Sequence, residues 1–330
     1  MREPAFWWTD GPAGALLAPL GALYGAVAAA RMRRPGAAAG VPVICVGNLT
    51  LGGSGKTPTA IALARLLTEA GERPFMLTRG YGGRERGPLR VAAGMAAAAV
   101  GDEPLLLARA APTIVARDRP AGAALARAQG ASVIVMDDGL QNPSLRKTLA
   151  IAVLDGRRGI GNGRVFPAGP LRAPLAAQLD HIHALLVIGG PDGAAAVIAA
   201  AAARGLAVFR ATLAPDAAAV ARLRGRRLLA FAGIGDPDKF FGTLAAAGVA
   251  PMRCRAFADH HRYTARDAAA LLGEAQREGL DLVTTEKDAA RLAGDPALAE
   301  LAKRSEVLPV TLALEERQRF AGFVLSGMRL

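Results

Sequence analysis

Cysteine is nearly missing from this 330-residue chain, which carries only Cys45 and Cys254. Two distant thiols make no disulfide framework and lack the paired spacing of a zinc site, which points to a reducing compartment. Cys45 lies within an apolar run and reads as a small core residue. Aromatic residues are scarce at 5%, so the stacking platforms that hold single-stranded nucleic acid are wanting. Acidic side chains trail basic ones, 28 against 40, leaving a formal net charge of +12. That excess favours a polyanionic partner, and scattered arginines without interleaved aromatics turn the reading from nucleic acid toward an anionic membrane surface or a phosphorylated ligand.

Hydrophobic residues are plentiful at 52%, enough for a sizeable core and against wholesale disorder. Much of this is alanine, and runs such as Ala96–Ala99 and Ala199–Ala203 fit helix surfaces. From Gly11 to Ala30 the chain carries no charge, and Arg31, Arg33 and Arg34 follow. The length suits a membrane span with its C-terminal side in the cytoplasm. Pro12, Pro19 and the many small residues leave two other readings open: a helix lying in the interface, with Trp7 and Trp8 at headgroup depth, or a soluble packing helix. A cleaved signal peptide fits poorly, because the charges follow the apolar stretch.

Short apolar runs then alternate with helical segments. Runs at Val41–Val46, Arg73–Thr78, Thr113–Ala116, Ser132–Met136, Leu149–Leu154 and Ala184–Ile188 predict strands of a mainly parallel sheet with helices on both faces. Loops after such strands lie along one edge, where ligands bind. A second series starts near Arg226, with strands at Leu280–Thr285 and Glu306–Leu314, helices at Phe240–Ala247 and Ala265–Glu278, and a closing helix from Glu315. The expected organisation is a membrane-associated segment at 1–35, an α/β domain at 36–225 that binds nucleotide and substrate, and a smaller α/β domain at 226–330.

The strongest local signal is the loop Thr50, Leu51, Gly52, Gly53, Ser54, Gly55, Lys56, Thr57, set between a strand and a helix expected at Thr59–Thr68. Glycines let backbone N–H groups curl round an anion, Lys56 can reach the outer phosphates, and the Thr57 hydroxyl can ligate Mg²⁺. The strict pattern asks for glycine six residues before the lysine, where Thr50 stands. Asp137 and Asp138 close an apolar strand, where a P-loop fold keeps its Mg²⁺ carboxylate, although an Asp pair also suits a turn before Gly139. Asp102 opening a helix before Glu103 and Pro104 is explained by capping alone. Of the four histidines, the adjacent His260 and His261, near Asp259 and Tyr263, suit either proton handling or an exposed loop. His181 and His183 read as structural. The Gly- and Pro-rich stretch Gly159–Arg172 is a plain loop or part of a substrate cleft.

Taken in order, Gly47-Asn-Leu-Thr50 with the glycine loop, Arg79-Gly-Tyr-Gly-Gly83, Gly101-Asp-Glu-Pro104, Asp137-Asp-Gly-Leu-Gln141, Pro167-Ala-Gly-Pro-Leu-Arg172, Phe231-Ala-Gly-Ile-Gly235, Asp259-His260-His261 and Thr285-Glu-Lys-Asp288 resemble the tetraacyldisaccharide 4′-kinase family, the lipid A 4′-kinases of Gram-negative bacteria. The likeness runs from about residue 41 to 290, and Thr50 agrees with that family. It implies a P-loop kinase-like fold. It also implies ATP- and Mg²⁺-dependent phosphorylation of the 4′-hydroxyl of a lipid A disaccharide 1-phosphate precursor. The expected setting is the cytoplasmic face of the inner membrane, with a lipid partner and no obligate protein partner.

By position, the resemblance makes Lys56 and Thr57 the nucleotide-loop pair and Asp138, alone or with Asp137, the Mg²⁺ group. Asp102 becomes the base toward the sugar hydroxyl, with His260 as partner. Arg79, Tyr81, Arg117 and Gln141 stand near substrate or phosphates. The family usually has glutamate where this chain has Ala173, so no role falls there. Two other classes compete: a regulatory GTPase, whose guanine-reading motif Thr285–Asp288 only imitates, and a nucleic-acid-binding ATPase.

Overall fold

The computed structural model describes residues 3–9 and 11–329. Its strands are β1 (Val43–Asn48), β2 (Pro74–Thr78), β3 (Leu89–Arg90), β4 (Thr113–Val115), β5 (Val133–Asp137), β6 (Leu149–Asp155), β7 (Ala184–Ile188), β8 (Ala207–Pro215), β9 (Leu228–Ala232), β10 (Arg253–Ala256), β11 (Asp281–Thr285), β12 (Ser305–Leu308) and β13 (Val310–Leu314). Nine form one sheet in the order β13-β8-β7-β6-β1-β5-β2-β4-β3. From β8 to β4 every pairing is parallel, and the antiparallel pairs β13/β8 and β3/β4 lie at the two edges. β1 is buried along its whole length because it is covered on both faces. Val43 and Cys45 enter one core layer, while Ile44 and Val46 enter the other, as the two-residue period requires.

From β1 the chain moves out to β2 and β4 on one side, returns to β5 next to β1, and then crosses to β6, β7 and β8 on the other. This reversal opens a crevice at the C-terminal end of β1, where ligands bind in such sheets. The helix Lys56–Glu69 leaves that crevice and lays Ala60, Leu63, Ala64 and Leu67 on the sheet. Each leucine so buried contributes about 1.5–3 kcal/mol, which seats the loop ahead of it on a rigid base. The helix starts at Lys56, three residues earlier than expected, because Pro58 falls in the first turn, where its missing N–H has no intrahelical partner to lose.

A second, fully parallel sheet follows in the order β10-β9-β11-β12. The run Glu306–Leu314, expected as one strand, is two. Pro309 has no N–H for a ladder, and there the chain leaves β12 and re-enters the large sheet as β13. The closing helix Arg317–Gly327 follows it, setting Phe320 edge-on against Phe209 at 5.0 Å. Residues 310–327 of the expected smaller unit thus pack with the large sheet. β3, β8 and β10 are not among the expected strands; β10 is an exposed edge strand with no apolar run to mark it.

The helix Pro12–Met32 continues through Pro19 and is long and apolar enough to cross a membrane. Its buried residues are Gly14, Gly21, Gly25 and Met32, and the three glycines lie close to residues 162–174, where added Cβ atoms would meet Asn162, Val165 and Pro174. Leu16, Leu20, Leu23 and Val27, spaced one helical turn apart on another face, are 57–82% exposed. Trp7 is buried against the protein, donates to the Pro167 carbonyl at 3.0 Å and meets Phe166 edge-on. Trp8 is half-buried, with the Arg158 guanidinium 3.8 Å above its ring.

Candidate functional site

The loop after β1 is braced from behind before it can hold anything in front. Leu51 N–H donates to Pro170 O at 2.8 Å, Arg172 N–H to Leu49 O at 3.0 Å, and Arg172 Nε to Thr50 O at 3.0 Å. Gln178 Nε2 donates to Leu49 O and Ala173 O at 3.1 and 2.7 Å, and Gln141 Nε2 to Asn48 O at 2.8 Å. The end of the Gly- and Pro-rich segment, Pro170–Arg172, therefore clamps this loop, while residues 162–168 pack against the N-terminal segment and helix. Gly52 and Gly55 have φ of +99° and +92°, a region where side chains are strained. A Cβ on Gly52 would also collide with the Glu3 carboxylate.

Lys56 and Thr57 are buried at the head of the helix, and Ser54 is buried with a hydroxyl that has no partner among the described residues. Lys56 Nζ stands 4.0 Å from Asp138 Oδ1. Asp138, with φ of +52°, is gripped by the Arg172 fork at 2.8 and 3.3 Å. Burial works against its ionisation, but Lys56 and then Arg172 prevail and hold the carboxyl down at about 2. Asp137 differs: it is fully buried, and neither carboxylate oxygen has a hydrogen-bond partner among the described residues. Burial, reinforced by the charge of Glu103, pushes it up to about 7 despite Lys56.

The second cluster is assembled across the seam between the sheets. Gly101, with φ of +95°, turns the chain so that Asp102 and Glu103 open the helix Asp102–Leu107. Asp102 Oδ1 accepts from Glu103 N–H at 3.0 Å, while Oδ2 accepts Arg291 Nε at 2.7 Å and Nη2 at 2.5 Å. His260 Nδ1 lies 3.4 Å from the same Oδ2. Burial opposes the charge on Asp102, but the His260 hydrogen bond and the Arg291 and Lys287 cations hold its carboxyl far below the usual range. Glu103 is paired with Lys287 Nζ at 2.7 Å. Burial would raise its carboxyl, yet Lys287 and then Lys56 draw it down, so the two clusters are electrostatic neighbours.

His260 (φ +54°) meets Tyr81 edge-on at 4.9 Å. Tyr81, Gly101, Asp102, His260 and Arg291 line a cleft of about 280 Å³. His261 also lines the cleft, but its ring bonds Asp267 at 3.1 Å and stacks on Phe257. Asp288, fully buried, accepts from Gly233 N–H, the Tyr263 hydroxyl, Thr285 Oγ1 and Arg291 Nη1 at 2.7–3.2 Å. Thr285–Asp288 is thus engaged inside the protein and presents nothing to a base.

Of the residues singled out in the sequence, Lys56, Thr57, Asp137 and Asp138 converge at the loop, and Asp102, His260 and Tyr81 converge at the cleft. Gln141 is turned to Asn48 and Gln178 (2.8 Å each). Arg79 and Arg117 are exposed and do not line the cleft. Sequence reasoning missed Arg291, Lys287, Glu103, Arg172 and Arg119. Arg119 is buried, with its Nε unpartnered and Asp137 and Asp138 as its main acidic neighbours. Glu103, Arg172 and Lys287 lie inside motifs that mark the family, and Arg291 follows Lys287 by one helical turn, whereas Arg119 carried no signal.

A family model described as tetraacyldisaccharide-1-P 4′-kinase matches residues 13–329. A tetraacyldisaccharide 4′-kinase of Methylobacterium sp. (strain 4-46) is 64% identical over 95% of this chain and 93% of its own. One from Rhodopseudomonas palustris (strain BisB5) is 57% identical over 98% and 96%. The crystal structure of LpxK from Aquifex aeolicus in complex with ATP is similar at a TM-score of 0.72 and 25% identity, covering 96% of this chain and 99% of that one.

Proposed function

Because this chain belongs to the tetraacyldisaccharide 4′-kinase family, we propose a division of labour among its residues for moving the γ-phosphate of ATP onto the 4′-hydroxyl of a tetraacyldisaccharide 1-phosphate. The chain is a lipid A pathway enzyme that uses ATP and Mg²⁺. The observation that carries the residue assignment is the pairing of two adjacent acids with two stations: Asp102 faces the cleft beside His260, and Glu103 faces the Lys56 loop.

Among the described residues, no three His, Cys, Asp or Glu side chains gather as a metal cage. That suits Mg²⁺, which keeps water and phosphate oxygens as most of its ligands. The orphaned Asp137 carboxylate and the Thr57 hydroxyl are the side chains that fit it. When bound, Mg²⁺ neutralises charge on the β- and γ-phosphates. Asp138, held between Arg172 and Lys56, fixes the lysine in place. Lys56 and the loop N–H groups stabilise charge moving onto the leaving group. Asp102 accepts the hydroxyl proton late, in a loose transition state where orientation outweighs basicity, and His260 orients it.

The outward face of the N-terminal helix supports docking on the cytoplasmic leaflet, where basic side chains meet anionic headgroups. Deleting residues 1–35 would also remove Trp7 and the glycine stripe, so point changes test the idea better. Leu16→Glu with Leu23→Glu is expected to cut recovery with anionic vesicles at least about fivefold while ATP affinity in detergent holds, since each buried charge costs on the order of 2–3 kcal/mol. Unchanged pelleting would place the anchor elsewhere. The reaction itself is checked by ³²P transfer from ATP to a tetraacylated disaccharide 1-phosphate with and without Mg²⁺. No transfer in the presence of Mg²⁺, or equal transfer without it, would overturn the assignment.

A further inference from the structure

We propose that Arg291 is a positioning residue for phosphoryl transfer, fixing Asp102 and the turn that carries His260 in one frame across the seam between the two sheets; this rests on the roles given above to Asp102 and His260. The helix Glu286–Leu292 belongs to the smaller sheet's side, directly after β11. Arg291 Nε and Nη2 reach Asp102 Oδ2 on the large sheet's side, at 2.7 and 2.5 Å. Its Nη1 turns back to Gly233 O at 2.5 Å and Asp288 Oδ1 at 2.8 Å. Gly233 O also accepts the N–H of His260 at 3.1 Å. One planar group therefore holds the acid and, through a shared carbonyl, the backbone of its histidine partner.

The arrangement is built for that task. The side chains of Arg291, Asp102 and Asp288 are 7%, 3% and 0% exposed, so solvent does not loosen the contacts. Only a guanidinium offers donors in two directions from one rigid plane; an ammonium on a flexible stem cannot reproduce both. His260 sits at a positive φ, a conformation that persists only when its surroundings over-determine it. One turn earlier, Lys287 holds Glu103 at 2.7 Å, so a single helix face grips both neighbouring acids.

The test uses the full-length enzyme in detergent, with ATP and a tetraacylated disaccharide 1-phosphate. Arg291→Ala is expected to lower kcat about 10²–10³-fold with KM for ATP within about threefold, as for loss of an interaction that matters in the transition state. Methylguanidinium should restore at least about tenfold of that activity, and Arg291→Lys should fall between the two. A purely structural role predicts no rescue by the small cation. Normal turnover in Arg291→Ala, or loss of activity without rescue in a protein that still binds ATP, would overturn the proposal. If Arg291→Ala does not fold, Arg291→Lys decides: wild-type kcat there rejects a need for the fork. Asp102→Asn runs alongside, and an active Asp102→Asn would instead sink the role given to Asp102.

Discussion

Asp102→Asn lowers kcat by about 10²–10⁴ and leaves ATP affinity within about threefold, a loss of about 2.7–5.5 kcal/mol of transition-state stabilisation. Asparagine keeps the size of the side chain and an oxygen for Arg291, so the change removes the charge and the ability to accept a proton. Alanine would be a poorer probe. It would remove one of the two carboxylates held by Arg291, 7% exposed, and leave Asp288 alone to balance the guanidinium, so that a loss of stability would be mixed with the loss of turnover. The nucleotide loop is braced by Gln141, Arg172 and Gln178 rather than by Asp102, which is why ATP binding survives. His260→Ala should fall in the same range. Equilibrium binding of a fluorescent ATP analogue and steady-state rates separate the effects. A variant that turns over normally, or one that loses nucleotide affinity in proportion to rate, rejects proton acceptance at Asp102.

Asp137→Asn should abolish Mg²⁺-supported transfer, by at least about 10²-fold, and yet stabilise the nucleotide-free protein at pH 8. The native carboxyl titrates at about 7 because it is buried and faces Glu103, against about 3.9 for a free aspartate. Below pH 4 both folded and unfolded chains hold the proton, and nothing is lost. Between about 4 and 7 the folded chain keeps a proton that the unfolded chain has released, so stability falls as pH rises through that window. Above 7 the penalty is complete. At 1.36 kcal/mol per unit it is on the order of 2–4 kcal/mol, or a Tm several degrees higher in Asp137→Asn. The gain should shrink at pH 5 and when Mg²⁺ and ATP occupy the native protein. Melting curves at the two pH values decide the matter; an equal shift at both, or a lower Tm at pH 8, removes the uncompensated-carboxylate argument. A stabilised but inactive variant is what a site that stores unpaired charge for its ligand predicts.

Much of the fold was legible in linear pattern. Ala184–Ile188 and Ala265–Glu278 fall where periodicity put them, because a continuous buried strand and a capped amphipathic helix are local signals. The glycine loop was legible for the same reason: the strand, the turn and the helix are adjacent in sequence. β10 and the break at Pro309 were not, since an exposed edge and a change of sheet depend on neighbours far along the chain. The Asp137–Asp138 pair was visible as a pair, but sequence offered no way to tell the two apart. Their difference arises from burial and from distant charges: Lys56 and then Arg172, 34 residues away, hold the Asp138 carboxyl down, whereas Asp137 is buried near the charge of Glu103 with no hydrogen-bond partner among the described residues.

The order of residues alone determined the phosphate cradle, the alternation of strands and helices, and the family, because these rest on contiguous motifs and on their sequence of occurrence. Tertiary structure decided what each charged group does. Asp102 and Arg291 are separated by 189 positions, and the energy of an ion pair depends on distance and burial, neither of which is written in the spacing of residues along a chain. The same holds for the N-terminal helix: composition made it apolar, but only packing turned its glycines inward and left its leucines facing out.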